Sequence, residues 1–430
     1  MSRDIITYLR AQTPAYHPGW GGPEYTGWQD EQTSWKTDCY LGDWSFLWDI
    51  EVEGPDALKV FSDTGVNSVG KFAVGQAKHL VQCNGDGKVV ADGVLMRMGE
   101  QTFRTQSATA FVTAFALAQG SYNARWRVIE TFQLQVSGPK ALAVCQAVTG
   151  ETLDDIKFMH FREVRIAGRT VFALRQGMAG EIGFEFHGDA VDVAIVKEAI
   201  LVAGAVHGIR QLGRRTAMIN HLEAAFPTGA WHYLGAFFSP ETAGLPAFME
   251  ENFDTKGVAP VLRGSFDPST IDDYLLSPYE LGWGKSVKFD HNFVGREALE
   301  AESVSGAGKR RVTLVFDPAD VVRIYASLFD DGKVPYDFLD IPHPQRWVVW
   351  ADEVRVGDNV IGFSSTPGYS YWFRKVLALA FIDAAYAEPG TRVEILWGAP
   401  GSRQTTINAT VAQAPYKVDN RRLDLTSTVA

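Results

Sequence analysis

The chain has 430 residues, 46% hydrophobic and 21% charged, with a formal net charge of -11. That length exceeds one compact core, so two or three domains are expected. The acidic balance argues against a nucleic-acid partner, which would need a basic footprint. Cys39, Cys83 and Cys145 are widely separated, and no Cys/His cluster has zinc spacing. This argues against a structural metal and fits a reduced, cytoplasmic setting.

Residues 1–13 lack the apolar stretch of a signal peptide. The next segment is dense in rings: Tyr16, Trp20, Tyr25, Trp28, Trp35, Tyr40, Trp44, Phe46 and Trp48. They could sandwich an aromatic ligand, or simply pack an irregular segment onto the core. Val52-Glu53-Gly54-Pro55-Asp56-Ala57-Leu58 recurs as Val136-Ser137-Gly138-Pro139-Lys140-Ala141-Leu142. Each copy reads as a strand, a Gly-Pro turn and a helix, because proline fits a first helical turn. Two copies predict a duplicated α/β module.

Between them, residues 77–98 read as a hairpin turning at Asn84-Gly85-Asp86-Gly87, and residues 106–119 as a helix. Residues 189–207 and 214–225 have helical patterns, and residues 241–279 are loop-rich. The apolar run at 191–206 is broken by Asp192, Lys197, Glu198 and Gly204, so it reads as a core helix and no membrane partner is expected. A helix begins at Asn292–Leu299, and residues 303–309 have linker composition. Beyond them, short strands punctuated by Gly and Pro predict a small all-β domain. The domains expected are 1–305 and 306–430.

Asp92 interrupts an apolar strand, so it must be hydrogen-bonded, paired or functional; capping a nearby loop would also explain it. Glu185 lies between Phe184 and Phe186, whose side chains share the opposite face of a strand. It could accept paired N–H donors from a heterocycle, or be solvated. Arg214 and Arg215 could complement that charge, or form a solvated helix face. Tyr233 could donate a proton or pack on a loop. His79, alone at the head of the hairpin strand, reads first as structural. No serine elbow, P-loop, dinucleotide fingerprint or HExxH motif is present.

In colinear order these residues resemble the glycine-cleavage T-protein (aminomethyltransferase) superfamily of tetrahydrofolate enzymes. The stretch Cys83–Asp92 resembles that family's CNxxGGIxDD hairpin, with Asp92 on its second aspartate and Ala91 replacing the first. Gly180–Phe186 resembles GEDGFEL, placing Glu185 on the pterin-binding acid, and Leu212-Gly213-Arg214-Arg215 resembles LGARD, placing Arg215 on a folate-contacting arginine. Asn292–Leu299 resembles DFVGKEAL, and Ser365–Ser370 followed by Leu377–Ala380 resembles the barrel motif TSGxxSP…IALA. Met178 replaces a family tyrosine, and Ser107 stands near the position of an asparagine in the aminomethyltransferases.

The resemblance implies an α+β fold: duplicated α/β folate-binding modules around a central channel, plus a small C-terminal β-barrel. The ring-rich N-terminus resembles the branch of aryl O-demethylases acting on vanillate- and syringate-type compounds. That branch implies methyl transfer from a methoxy-aromatic (lignin-derived) compound to N5 of tetrahydrofolate. Glu185 and Arg215 would hold the cofactor, Asp92 would bond near N5 or N10, and Tyr233 or, secondarily, His79 would serve the leaving oxygen. Lys417, Arg421 and Arg422 would meet the anionic folate tail or form a solvated tail. The alternatives are a methylated amine or sulfonium donor on the same scaffold, and a folate-binding regulator without transferase chemistry. The expected partner is a small aromatic methyl ether, with the protein a monomer or homodimer and no metal bound.

Overall fold

Both Gly-Pro turns end a strand and start a helix. Asp49–Glu53 leads into helix Ala57–Thr64, and Thr131–Ser137 leads into helix Ala141–Thr149. In the computed structural model, which describes residues 2–255 and 260–427, Gly54 and Gly138 have φ of 138° and 140°. A Cβ on either would stand 2.6 Å from a backbone carbonyl oxygen, that of Asn123 or of Asp38. The amides two residues on, Asp56 and Lys140, donate to those same carbonyls at 3.2 and 2.9 Å. The sequence repeat is therefore a structural repeat in which only glycine fits. Gly54→Ala or Gly138→Ala is expected to cost about 1–3 kcal/mol in urea unfolding; a loss below about 0.5 kcal/mol would contradict this.

Each repeat builds one sheet, the first antiparallel and the second mixed. The first runs in the order Ala77–Cys83, Val89–Arg97, Thr102–Gln106, Asp49–Glu53, Arg125–Ile129, all antiparallel. The second runs Ile209–Gln211, Cys39–Asp43, Thr131–Ser137, Gly183–Asp189, Arg169–Arg175, Phe161–Ile166. Cys39–Asp43 precedes the first repeat in the chain but pairs in the second sheet, and Arg125–Ile129 follows the first repeat's helices and returns to its sheet. This interleaving ties the modules to each other. Their cores are separate, one around Ile50, Phe61, Val81 and Phe103, the other around Leu134, Val144, Phe184 and Phe186.

The C-terminal strands close a barrel. Lys309–Phe316 pairs with Thr405–Ala412, and the ring continues through Arg392–Trp397, Asp352–Val356, Asn359–Ser364 and Lys375–Asp383 back to Lys309–Phe316. Leu314, Val354, Ile361, Ala378, Ile395 and Ile407 fill it. The α+β architecture of duplicated modules plus a barrel is the one expected.

Local differences have local causes. Helix Arg296–Ser305 runs through the expected linker and stops at Gly306 with φ 85°, so residues 306–308 alone bridge to the barrel strand. Helix Ala217–Glu223 is shorter than its pattern. Helix Pro318–Ala326 was not anticipated, although Asp317-Pro318 carries its start signal: the Asp317 carboxylate accepts from Ala319 N at 2.8 Å and Asp320 N at 3.3 Å. Among the described residues no helix is long and apolar enough to cross a membrane.

Candidate active site

A cavity of about 1240 Å³ opens where the modules, the 226–288 segment and the barrel meet. Its wall includes His79, Asp92, Glu185, Tyr233, Trp283 and Arg311. Both modules, the 226–288 segment and the barrel thus contribute to one site.

The hairpin register places Asp92 opposite Val81 and His79 opposite Val94, so His79 and Asp92 share a face. His79 Nε2 lies 2.9 Å from Asp92 Oδ2, and the Tyr233 hydroxyl donates to Oδ1 of the same carboxylate. The Tyr233 segment hangs on the hairpin through Ala236 N, which donates to the Val89 carbonyl at 2.9 Å. Trp283 sets its ring edge-on to both His79, at 4.8 Å, and Tyr233, at 5.8 Å. Burial first, then the Asp92 charge, push the Tyr233 hydroxyl well above the ordinary phenol value, so it keeps its proton at neutral pH. The three residues expected to carry chemistry therefore form one hydrogen-bonded group. Trp283, which steadies two of them, was not singled out from the sequence because it sits apart from the N-terminal rings.

Glu185 is buried on the second sheet, opposite Gln135. Its Oε1 accepts from Gln135 Nε2 at 3.2 Å and Gln176 Nε2 at 3.1 Å, and its Oε2 lies 3.3 Å from His187 Nε2. Met178 lies beside it, with Sδ 3.8 Å from Gln176 Nε2. A desolvated carboxylate held by this many donors, with a face on the cavity, is a preorganised acceptor for paired N–H groups.

The expected arginine partner is elsewhere. Arg215 does not line the cavity: its guanidinium donates to the Ile341 carbonyl and lies 3.7 Å from the Glu24 carboxylate. Arg214 is likewise spent on the His17 carbonyl, at 3.2 Å. Lys417 is also withdrawn, buried against Glu181 and donating to the Gly180 carbonyl at 3.1 Å. Arg421 and Arg422 do line the cavity, joined by Lys285, Lys288 and Arg311. Arg311 donates to the Leu281 carbonyl at 2.9 Å and, among the described residues, has no carboxylate partner. Burial and neighbouring Arg421 pull it down to about 10. A cation left this poorly compensated is suited to an anionic ligand group.

The N-terminal rings divide. Trp20, Trp44, Phe46 and Trp48 line the cavity, with His17, Trp231 and Trp347 packed among them. Trp35 and Tyr40 are buried, and Tyr16 and Tyr25 are exposed. Ser107, at φ 65° before helix Ala108–Gln119, also faces the cavity. Among the described residues no cluster of His, Cys, Asp and Glu could hold a metal ion.

Comparison with known families decides the affiliation. Residues 7–250 match the GCVT N-terminal domain, and residues 338–417 match the glycine cleavage T-protein C-terminal barrel domain. The chain belongs to the glycine cleavage T-protein family. Within that family it is 33% identical to a syringate O-demethylase from Sphingobium sp., covering 96% of this chain and 94% of the relative. It is 34% identical to a sesamin methylene transferase from Sinomonas sp., covering 91% and 89%. An aminomethyltransferase from Streptomyces avermitilis is 26% identical over 87% of this chain and 86% of its own length. The fold matches the crystal structure of the aminomethyltransferase T of the glycine cleavage system from Bartonella henselae with a TM-score of 0.66, at 18% identity and 97% coverage of both chains.

Proposed function

We propose that this enzyme moves a methyl group from a methoxy-aromatic compound of the lignin-derived type to N5 of tetrahydrofolate. The observation that carries the reading is the shared cavity: the Tyr233–Asp92–His79 group and the Glu185 carboxylate face one chamber. The relative named a syringate O-demethylase supports the methoxy donor class. The residues present fit a reduced folate. Glu185 can accept the pterin's amino edge, and Arg311, Arg422, Lys285 and Lys288 can meet an anionic tail. The aromatic wall of Trp20, Trp44, Phe46 and Trp231 suits an aryl donor. In this reading residues 1–305 hold folate and donor, and residues 306–430 close the chamber.

Bound tetrahydrofolate supplies the nucleophilic nitrogen for in-line displacement of an aryl oxide, a poor leaving group. The chain supplies alignment and the proton balance. Transfer would free one proton at that nitrogen and call for one at the departing oxygen. Asp92 accepts the first. The Tyr233 hydroxyl, kept protonated by burial, donates the second and is refilled through its bond to Asp92. His79 holds Asp92 from the other side and fixes which oxygen faces the tyrosine. No proton is consumed overall, so the group is restored with each turnover.

The test is incubation with tetrahydrofolate and a panel of vanillate, syringate, guaiacyl ethers, dimethylglycine and sulfonium salts, followed by mass spectrometry of the folate. The expected result is 5-methyltetrahydrofolate from aryl ethers. A 5,10-methylene product from an amine would overturn the reading.

A further inference from the structure

Glu185 faces the large cavity, whereas His187, on the same face of strand Gly183–Asp189, faces a second chamber of about 10 Å³. Asp49, Arg104, Gln106 and Thr131 also line that chamber. Both Glu185 and His187 are nearly inaccessible, at 3% and 4% exposure. The register sets Gln133 opposite His187. Gln133 Nε2 donates to Asp49 Oδ2 at 2.7 Å, and the Thr131 hydroxyl donates to the same oxygen. The charged and titratable groups around the pair are Asp49, Arg104 with its partner Glu51 at 3.0 Å, and Tyr40, whose hydroxyl donates to Gln135 Oε1 at 2.6 Å.

The two oxygens of Glu185 are served unequally. Oε1 accepts from two glutamine amides, one of which, Gln176, itself lines the cavity. Among the described residues Oε2 has one hydrogen-bond partner, His187 Nε2 at 3.3 Å. A buried carboxylate remains ionised only while its lone pairs are met. When a ring displaces Gln176, the donors that persist are Gln135 and His187.

We infer that His187 is a positioning residue for folate binding: its Nε2–H, donated to Glu185 Oε2, holds that carboxylate in place and aimed into the cavity. The inference rests on the proposal that Glu185 grips the amino edge of a reduced folate. Donation from Nε2 leaves Nδ1 as an acceptor. The small chamber is at the lower size limit for one water, and Asp49, Arg104, Gln106 and Thr131 are among its lining.

Calorimetric titration of tetrahydrofolate from pH 5 to pH 8 tests this with wild type, His187→Leu, His187→Gln and His187→Asn. Losing a bond to a charged acceptor should raise Kd about tenfold or more in His187→Leu. It should also move the acidic limit of binding upward by about one pH unit. Gln places an amide nitrogen near the lost Nε2 and should restore both; Asn is too short and should restore neither. If His187→Leu does not fold, the Gln and Asn variants alone decide. An acidic limit unchanged in the Leu or Asn variant, or a Gln variant as impaired as Asn, would overturn the inference while leaving folate binding intact. Absence of binding by wild type at every pH would overturn the folate reading and the inference together.

Discussion

Tyr233→Phe lowers methyl transfer by about 10²–10⁴ in kcat, the range for loss of a general acid, while tetrahydrofolate binding stays near wild type. The hydroxyl is buried, keeps its proton and is bonded to Asp92 rather than to Glu185. Asp92→Asn should fall in the same range, because an amide cannot take the proton released at nitrogen. Residues acting as one unit are non-additive, so the double variant should lose little beyond the worse single one. Single-turnover kinetics with an aryl ether measure this. Wild-type kcat in Tyr233→Phe would remove the tyrosine from the relay. A double variant equal to the product of the singles would show that the two do not share a proton.

Acid lability is the second large effect. His17, His221, His232 and His343 are all buried. Burial, the largest cause for each, holds His17 and His221 down to about 3, His343 to about 4 and His232 well below its ordinary value. A histidine that stays neutral when folded but takes a proton near pH 6.5 when unfolded adds stability above that pH and withdraws it as pH falls. At pH 5 each withdraws on the order of 2 kcal/mol, or about 8 kcal/mol for the four. Asp352 acts in the opposite direction. Burial raises it to about 7, so between pH 6.5 and pH 5 it returns on the order of 2 kcal/mol. The net loss, about 6 kcal/mol, is comparable to the whole stability of many domains. The thermal midpoint should therefore drop steeply between pH 6.5 and pH 5, and His343→Gln should flatten the slope. An equal midpoint at pH 7 and pH 5 would contradict the account.

The sequence made the backbone of this site legible and left half of its charges hidden. Gly54-Pro55 and Gly138-Pro139 announced the duplication because a close carbonyl approach tolerates no side chain there. Asp92 and Glu185 stood out because a carboxylate in an apolar strand needs a reason, and both face the cavity. Arg215 lies apart because adjacency to a motif does not say where a long side chain reaches; it is bonded to a loop carbonyl at Ile341 and near the Glu24 carboxylate. Lys417 was lost to Glu181 in the same way. Arg311 was missed because Lys309-Arg310-Arg311 reads as an ordinary basic strand start; it becomes a site residue only because barrel closure brings it against Gly282. His187 shows strand spacing from Glu185, but its value depends on the small chamber behind it.

The most direct test of the account is isotopic. A methoxyarene carrying a trideuteriomethyl group is incubated with the enzyme and tetrahydrofolate, and the folate product is weighed by mass spectrometry. The account predicts 5-methyltetrahydrofolate with all three deuterium atoms retained, appearing in step with the phenol. A folate product bearing two deuterium atoms at the methylene level, or phenol released while the folate stays unlabelled, would contradict it.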